Sequence, residues 1–452
     1  MLSVVTHAFE SILHFLARGS SEVKDMFIGK KGLQLWLGVS VLTLFVSPAI
    51  AGTVNATSCS AGAVQTAITS ARDGDTVAMP AGNCSWGSTT VTIPSPKTIV
   101  LTGAGIDATT ITSTAGTVAI RVGDSETGGR SRVTGFTLKS GYIVVDGDGW
   151  RVDHLKIISP STGVLAEGVF AFGLRPGTPY GPTGLIDHIT FSDTRVLVFG
   201  FPDVPSKSGS LLASSLGLGD TNAVYVEDST FTFHGQANVI DCNYGGRYVF
   251  RHNTVTNSSI DAHSVQGWNR GCRRWEVYGN TIQLVSGGYF TPFFIRGGTG
   301  VIFNNTITGS WSEPFISFDN VRSFESRSEW FPVSTTTPGA CNGSSAWDGN
   351  QTGNGWPCRD QIGRGGDTAP WTSTSPFSPQ ISAPAYIWNN TINGGTATVQ
   401  IRNDSGGWIQ SGRDYIQNAG AKPGYTPLAY PHPMTQTNPV VAPPAPSNLT
   451  VR

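Results

Sequence analysis

Tyr225-Val226-Glu227-Asp228-Ser229-Thr230-Phe231 and Val249-Phe250-Arg251-His252-Asn253-Thr254-Val255 are two copies of one short pattern. It returns as Val277-Tyr278-Gly279-Asn280-Thr281-Ile282, as Ile302-Phe303-Asn304-Asn305-Thr306-Ile307 and as Ile387-Trp388-Asn389-Asn390-Thr391-Ile392. Each copy is a short apolar-alternating strand, a turn with Asn or Asp, then Thr or Ser and another apolar residue. Aligned on the acidic or amide residue at 228, 253, 280, 305 and 390, the gaps are 25, 27, 25 and 85 residues. Weaker copies precede them at Val152-Asp153-His154-Leu155 and Leu185-Ile186-Asp187-His188-Ile189. A period near 25 residues with two or three short strands each predicts a solenoid, and no helical period competes. Coils of a parallel β-helix stack about 4.8 Å apart, so equivalent residues form ladders. Asn253, Asn280, Asn305 and Asn390 are therefore expected to serve structure. Asn satisfies backbone groups at tight turns and tolerates left-handed dihedrals. His154 and His188, on earlier rungs, are read as structural too.

Composition agrees with an all-β chain. Of 452 residues only 13% are charged, the formal net charge is −1, and Gly accounts for 56. Without a basic excess, binding of nucleic acid through phosphate contacts is not expected. With 38% apolar and 10% aromatic residues, charge-driven disorder is excluded. The chain is also poor in the Ala, Glu, Lys and Leu that long helical bundles need.

The first 51 residues read as an over-extended start followed by an export signal. Met26 is a second possible start, Lys30 and Lys31 are the positive region, and Leu33 to Val46 is the apolar run. Ala49-Ile50-Ala51 is a small-x-small cleavage site. The run is shorter than the roughly 20 residues a membrane span needs. The mature chain is thus expected to be secreted, extracellular or periplasmic, with no membrane span, and monomeric. Its six cysteines suit disulfides in such a compartment. Pairing neighbours gives Cys59–Cys84, Cys242–Cys272 and Cys341–Cys358, one of the 15 connectivities six cysteines allow.

Ala61 to Ala71 reads as a short helix, which suits the cap an open solenoid end requires. Asp73-Gly74-Asp75-Thr76-Val77 then leads into a strand, and Thr98 to Gly105 reads as the first coil strand. This entry, with the repeat, resembles the pectate-lyase-like right-handed parallel β-helix superfamily across roughly residues 55–430. The resemblance implies the fold. It leaves the activity open, because the superfamily includes lyases, hydrolases, esterases, epimerases and phage tailspikes. Residues 52–434 are taken as the β-helix domain, with a loop insertion at about 311–383 that carries Cys341 and Cys358. Within it, Gly355-Trp356-Pro357-Cys358-Arg359-Asp360-Gln361-Ile362-Gly363-Arg364-Gly365 resembles a segment of uncharacterised bacterial β-helix proteins. Residues 435–452 read as a Pro-rich linker. It ends in Ala445-Pro446-Ser447-Asn448-Leu449-Thr450-Val451, which looks like the first strand of a fibronectin type III module.

Ionisable residues concentrate between 234 and 322. Side chains alternate across a strand. If Ile240, Cys242, Ile260, Ala262, Ile295, Ile316 and Phe318 point inward, then Asp241, Asn243, Asp261, His263, Arg296 and Asp319 share one outer face on four successive coils. Carboxylates on adjacent coils start about 4.8 Å apart. Two that close need a cation between them, an Arg, or a shared proton. Asp241 and Asp261 are thus candidate Ca²⁺ ligands. Arg247, Arg251, His252, Arg270, Arg273 and Arg274 form a basic set alongside, with His234 and Tyr244 flanking the Asp241 strand.

The expected partner is a polysaccharide. The leading expectation is a lyase acting on a uronic-acid glycan by β-elimination. His263 or an Arg would be the base, Arg296, Arg273 or Ca²⁺ would neutralise the carboxylate, and Tyr244 would be the acid. His234, Asn243, Arg247, Arg273, Arg274, Asp319 and Trp356 are candidate substrate contacts. No lyase motif is legible. A glycosidase built on Asp241, Asp261 and Asp319 is the first alternative. A non-catalytic carbohydrate-binding or adhesive β-helix is the second.

Overall fold

The structure is a computed structural model and describes residues 51–124, 130–173, 181–200, 213–264, 270–287, 290–319, 359–369, 380–402 and 407–436. Each coil of the central repeat holds three short strands. In one coil they are Val224–Glu227, Thr230–Thr232 and Asn238–Asn243, and in the next Arg247–Arg251, Thr254–Thr256 and Ser259–Ala262. Equivalent strands pair in parallel from coil to coil, giving three rows. The first two rows belong to one continuous sheet, and the third forms a separate ten-stranded sheet. This is a β-helix solenoid.

The tight turn between the first and second rows explains the repeat. His154, His188, Asp228, His252, Asn304 and Asn389 all adopt positive φ between 50° and 56°, and Gly279 takes the same place. The next residue begins the amide ladder. Asn253 donates its backbone N–H to Asn280 Oδ1 at 2.9 Å, Asn280 donates to Asn305 Oδ1 at 3.1 Å, and Asn305 to Asn390 Oδ1 at 3.1 Å. The last step closes an 85-residue excursion as though it were one coil. The expected alignment slips by one residue at its first member. Asp228 takes the left-handed position, and Ser229 is the residue that donates its N–H to Asn253 Oδ1.

The core is a single apolar column. It includes the stacked Phe191 and Phe231, whose ring centroids are 4.4 Å apart. Helix α1 (Ala61–Ser70) starts at Ser60, whose hydroxyl accepts from the Ala63 N–H, and buries Ala61, Val64, Ala67 and Ile68 at the solenoid's entry. Lys97 reaches the carbonyls of Ile68 and Ala71 at the C-terminal end of α1, where a cation suits the helix dipole. The Cys59–Cys84 and Cys242–Cys272 disulfides are present. Cys341 and Cys358 lie outside the described residues.

Ile316–Asp319 is a regular third-row strand, although it lies within the bounds expected for the insertion. The insertion's returning end is anchored. Arg364–Asp367 pairs antiparallel with Gln380–Ser382, and the buried Arg270 holds both Asp360 and Asp367 at 2.9–3.0 Å. Residues 418–436 run back across the outer face of the first row. There Arg251 donates to the carbonyls of Leu428 and Ala429, and Tyr425 donates its hydroxyl to Glu276. This strap packs Tyr425, Leu428 and Met434 on an apolar stripe that includes Tyr225, Tyr278, Phe303 and Trp388. Among the described residues no helix is long and apolar enough to cross a membrane.

Candidate functional site

The third row carries the site because both of its faces are populated differently. Ile240, Cys242, Ile260, Ala262, Ile295, Ile316 and Phe318 are buried in the core, so the residues between them face out. The pairs Ile240↔Ile260 and Ala262↔Ile295 bring Asp241 beside Asp261 and His263 beside Arg296 on successive coils. Asp319 follows Arg296 and pairs in register with Arg402.

Two dyads result. His263 Nε2 lies 3.2 Å from Asp241 Oδ1. Arg296 grips Asp261 with two bonds, Nη2 to Oδ2 at 2.7 Å and Nε to Oδ1 at 3.2 Å. The carboxylates lie beneath and the cationic side chains above. Asp241 and Asp261 are 10% and 3% exposed at the side chain, against 16% for His263 and 13% for Arg296. Burial works against ionisation of Asp241, yet the neighbouring His263, Arg296 and Arg195 outweigh it and hold the carboxyl below its ordinary value. Burial pushes the Asp261 carboxyl up, against the pull of Arg296 and His263 and with the Asp241 charge adding to the rise. His263 Nδ1 is buried and has no hydrogen-bond partner.

Aromatic rings extend the same face in both directions. Phe170, Phe172, Phe199 and Tyr244 form a contiguous row at 5.0–5.3 Å on the N-terminal side. Phe290 and Phe294 lie 5.3 Å apart on the C-terminal side, with Arg296 over Phe294 at 4.9 Å and Arg402 over Phe290 at 4.7 Å.

Sequence reasoning overlooked part of this surface. Arg195 binds Glu167 and the Asn238 side chain and reaches within 3.9 Å of Asp241, while Asn238 donates to Asp261 at 3.3 Å. The alternation in Thr194–Phe199 was the available signal, since it sends Arg195, Leu197 and Phe199 to one side.

Several expected site residues lie elsewhere. Arg247 and Arg274 belong to first-row strands, pair with each other across the ladder, and are fully buried under residues 214–220. Arg274 is committed to Asp220 and Glu276. Arg273 is buried beneath the same segment, bonded to the Ser214 carbonyl, and burial beside Arg247 lowers its pKa to about 9. These arginines are near the Asp241 strand in sequence but sit on a different row, so they do not line its outer face. Asn243 is on the third row but buried, and its Oδ1 caps the turn by accepting the Tyr244 N–H. His234 is held at a turn by Asp193, with Nδ1 at 2.9 Å from Oδ2. Asp319 is buried and bonded to Arg402 at 3.4 Å. The Tyr244 ring packs on Phe199 as part of the aromatic row. Trp356 lies outside the described residues.

Asp241, Asp261 and His263 each offer a ligand atom within 4.8 Å of the others. That set does not suit Ca²⁺. The ion takes six to eight oxygens and gains most from uncompensated carboxylates. Here both carboxylates already face cationic partners, Asp261 through both of its oxygens. No protein-family model matches the chain, and no curated protein sequence matches it.

Proposed function

We propose that the protein is an exported polysaccharide lyase on a right-handed parallel β-helix of the pectate-lyase-like kind, cleaving a uronic-acid glycan by β-elimination. The handedness follows the strong general preference of parallel strand–loop–strand connections. Export is supported by two disulfides, which persist in oxidising compartments, and by the leader-like start of the sequence. The observation that carries the activity is the layering of the site. A base and a cation stand in register on neighbouring coils, each backed by a buried carboxylate. A glycosidase needs the reverse, with two carboxyl groups presented to the sugar.

Each residue has a physical role in this reading. Asp241 Oδ1, 3.2 Å from His263 Nε2, orients the imidazole by charge, and His263 serves as the base. Asp261 holds the Arg296 guanidinium flat, the geometry that suits a uronate carboxylate. Neutralising that carboxylate acidifies the C5 proton, which His263 removes. A C4–C5 double bond forms as the C4–O bond breaks, and the leaving oxygen takes a proton, for which Tyr244 is the candidate donor. The flanking aromatic rows suit stacking of sugar faces along an extended chain.

The test is incubation of the protein with a panel of uronans and neutral glucans, followed by ultraviolet absorbance of unsaturated ends and by reducing ends. Rising absorbance on a uronan supports the lyase. New reducing ends without absorbance would replace it by the hydrolase.

A further inference from the structure

We propose a surface site for a transition-metal cation at His154 and His188, on the opposite sheet from the Asp241–Asp261 face and independent of the function proposed above. The two histidines occupy the left-handed turn position of successive coils, with φ of 50° and 54°. Their rings are stacked 4.9 Å apart and within 5° of parallel. Both side chains are about half exposed, at 53% and 47%.

Each ring is oriented from below. His154 Nδ1 lies 2.6 Å from Asp153 Oδ2, and His188 Nδ1 lies 2.8 Å from Asp187 Oδ2. Both aspartates are fully buried, and they are gripped by Arg132 and Arg151 respectively. An arginine-bound carboxylate is an acceptor only, so Nδ1 must carry the proton and the free lone pair falls on Nε2. This is the carboxylate–histidine arrangement that orients metal-binding imidazoles. Because the two histidines share one backbone conformation and one kind of anchor, their Nε2 atoms point the same way.

Reach is sufficient. Two metal–nitrogen bonds of about 2.1 Å allow at most about 4.2 Å between the nitrogens. The half-exposed rings must lean toward each other by less than about 1 Å each and also rotate out of their parallel stack, so that the two in-plane lone pairs converge on one ion. Water fills the remaining positions, because the next residue of the column, Asp228, is already bonded to the Tyr430 hydroxyl at 2.6 Å. Imidazole nitrogens select Zn²⁺, Cu²⁺ or Ni²⁺ over Ca²⁺ and Mg²⁺. The bound ion would clip two coils together and stabilise the N-terminal half of the solenoid, since it binds only the folded arrangement.

The test is isothermal titration of metal-free protein with ZnCl₂ and CuCl₂, with Cu²⁺ electron paramagnetic resonance on the same samples. The wild type should bind and show two coordinated imidazoles. His154→Ala and His188→Ala should each weaken binding at least about ten-fold and leave one imidazole, the scale on which metal sites respond to lost support. The double variant should lose the site, and His154→Gln should behave as His154→Ala. Circular dichroism checks that all variants keep the fold. Undiminished affinity with two imidazoles in the double variant would overturn the proposal, as would absence of binding in the wild type.

Discussion

Asn280→Ala tests whether the amide ladder holds the coils together. Asn280 is 1% exposed. Its amide donates to the Phe250 carbonyl at 2.9 Å, to Tyr278 at 3.1 Å and to Asn305 Oδ1 at 2.9 Å. Its Oδ1 accepts from the Asn253 backbone N–H at 2.9 Å and from the Asn253 side chain at 3.2 Å. Truncation leaves at least the Asn253 N–H and the Phe250 carbonyl buried without that partner, and each orphan costs about 1–3 kcal/mol. The expected loss is therefore about 4 kcal/mol, large for a single substitution. Asn393→Gly is the control, because Asn393 sits at φ 49°, where alanine would add strain of its own. Asn393 exchanges two bonds with the Gly309 backbone, but in an exposed turn where water replaces them. It should cost under about 1 kcal/mol. Guanidinium unfolding followed by circular dichroism gives both values from midpoint and slope. Equal losses for the two variants would refute the reasoning, because burial of the orphaned groups would then not matter.

His432→Gln probes the strap. Burial and the nearby Arg251, Arg130 and Arg151 lower the His432 pKa to about 3, so the imidazole is neutral in the fold. Once released it titrates near its ordinary 6.5, so its contribution is complete above pH 6.5 and is lost as pH falls from there toward 3. Hydrogen exchange of residues 425–436 should rise over that window in the wild type, and less steeply in the variant. Replacing Cys242 and Cys272 together by Ser opens a crosslink spanning 30 residues, which should cost about 3–4 kcal/mol in unfolding experiments. A loss under about 1 kcal/mol would mean the coils are held without it. His263→Ala should cut β-elimination by about 10²–10⁴-fold and, by uncovering the buried Asp241, lower the melting temperature while the fold is kept; retained turnover would remove His263 from the mechanism. Arg296→Met leaves Asp261 buried without its cation and should destabilise by about 3–5 kcal/mol as well as abolish turnover, whereas Arg296→Lys should restore much of the stability and little of the activity.

Periodicity was legible because each coil repeats the same backbone problem. The turn at 252, 279, 304 and 389 demands a left-handed residue, and the buried groups beside it demand an amide, so His252, Gly279, Asn304 and Asn389 precede Asn253, Asn280, Asn305 and Asn390. Alternation in Asn238–Asn243 and Ser259–Ala262 likewise showed which residues face out, and that was enough to place Asp241, Asp261, His263 and Arg296 together. Both are local signals, set by how one strand or turn treats its own side chains. The one-residue slip at Asp228 shows their limit, since Asp satisfies either turn position and only pairing with Asn253 chooses Ser229.

Row membership and long-range cover were decided by the folded chain alone. Arg247 and Arg296 are the same residue type, one opening a strand and the other just after one, yet the first is sealed under residues 214–220 and the second faces out over Asp261. Likewise Arg270 reads in sequence as one of the basic set beside the site, whereas in the fold Asp360 and Asp367 claim it from 90 and 97 residues away. The strap at 418–436 buries the Arg251–Glu227 pair by crossing coils laid down about 200 residues earlier. A residue's neighbours along the chain determine its strand, its facing and its turn. Its charge partners come from stacking of distant coils, and no local pattern records those distances.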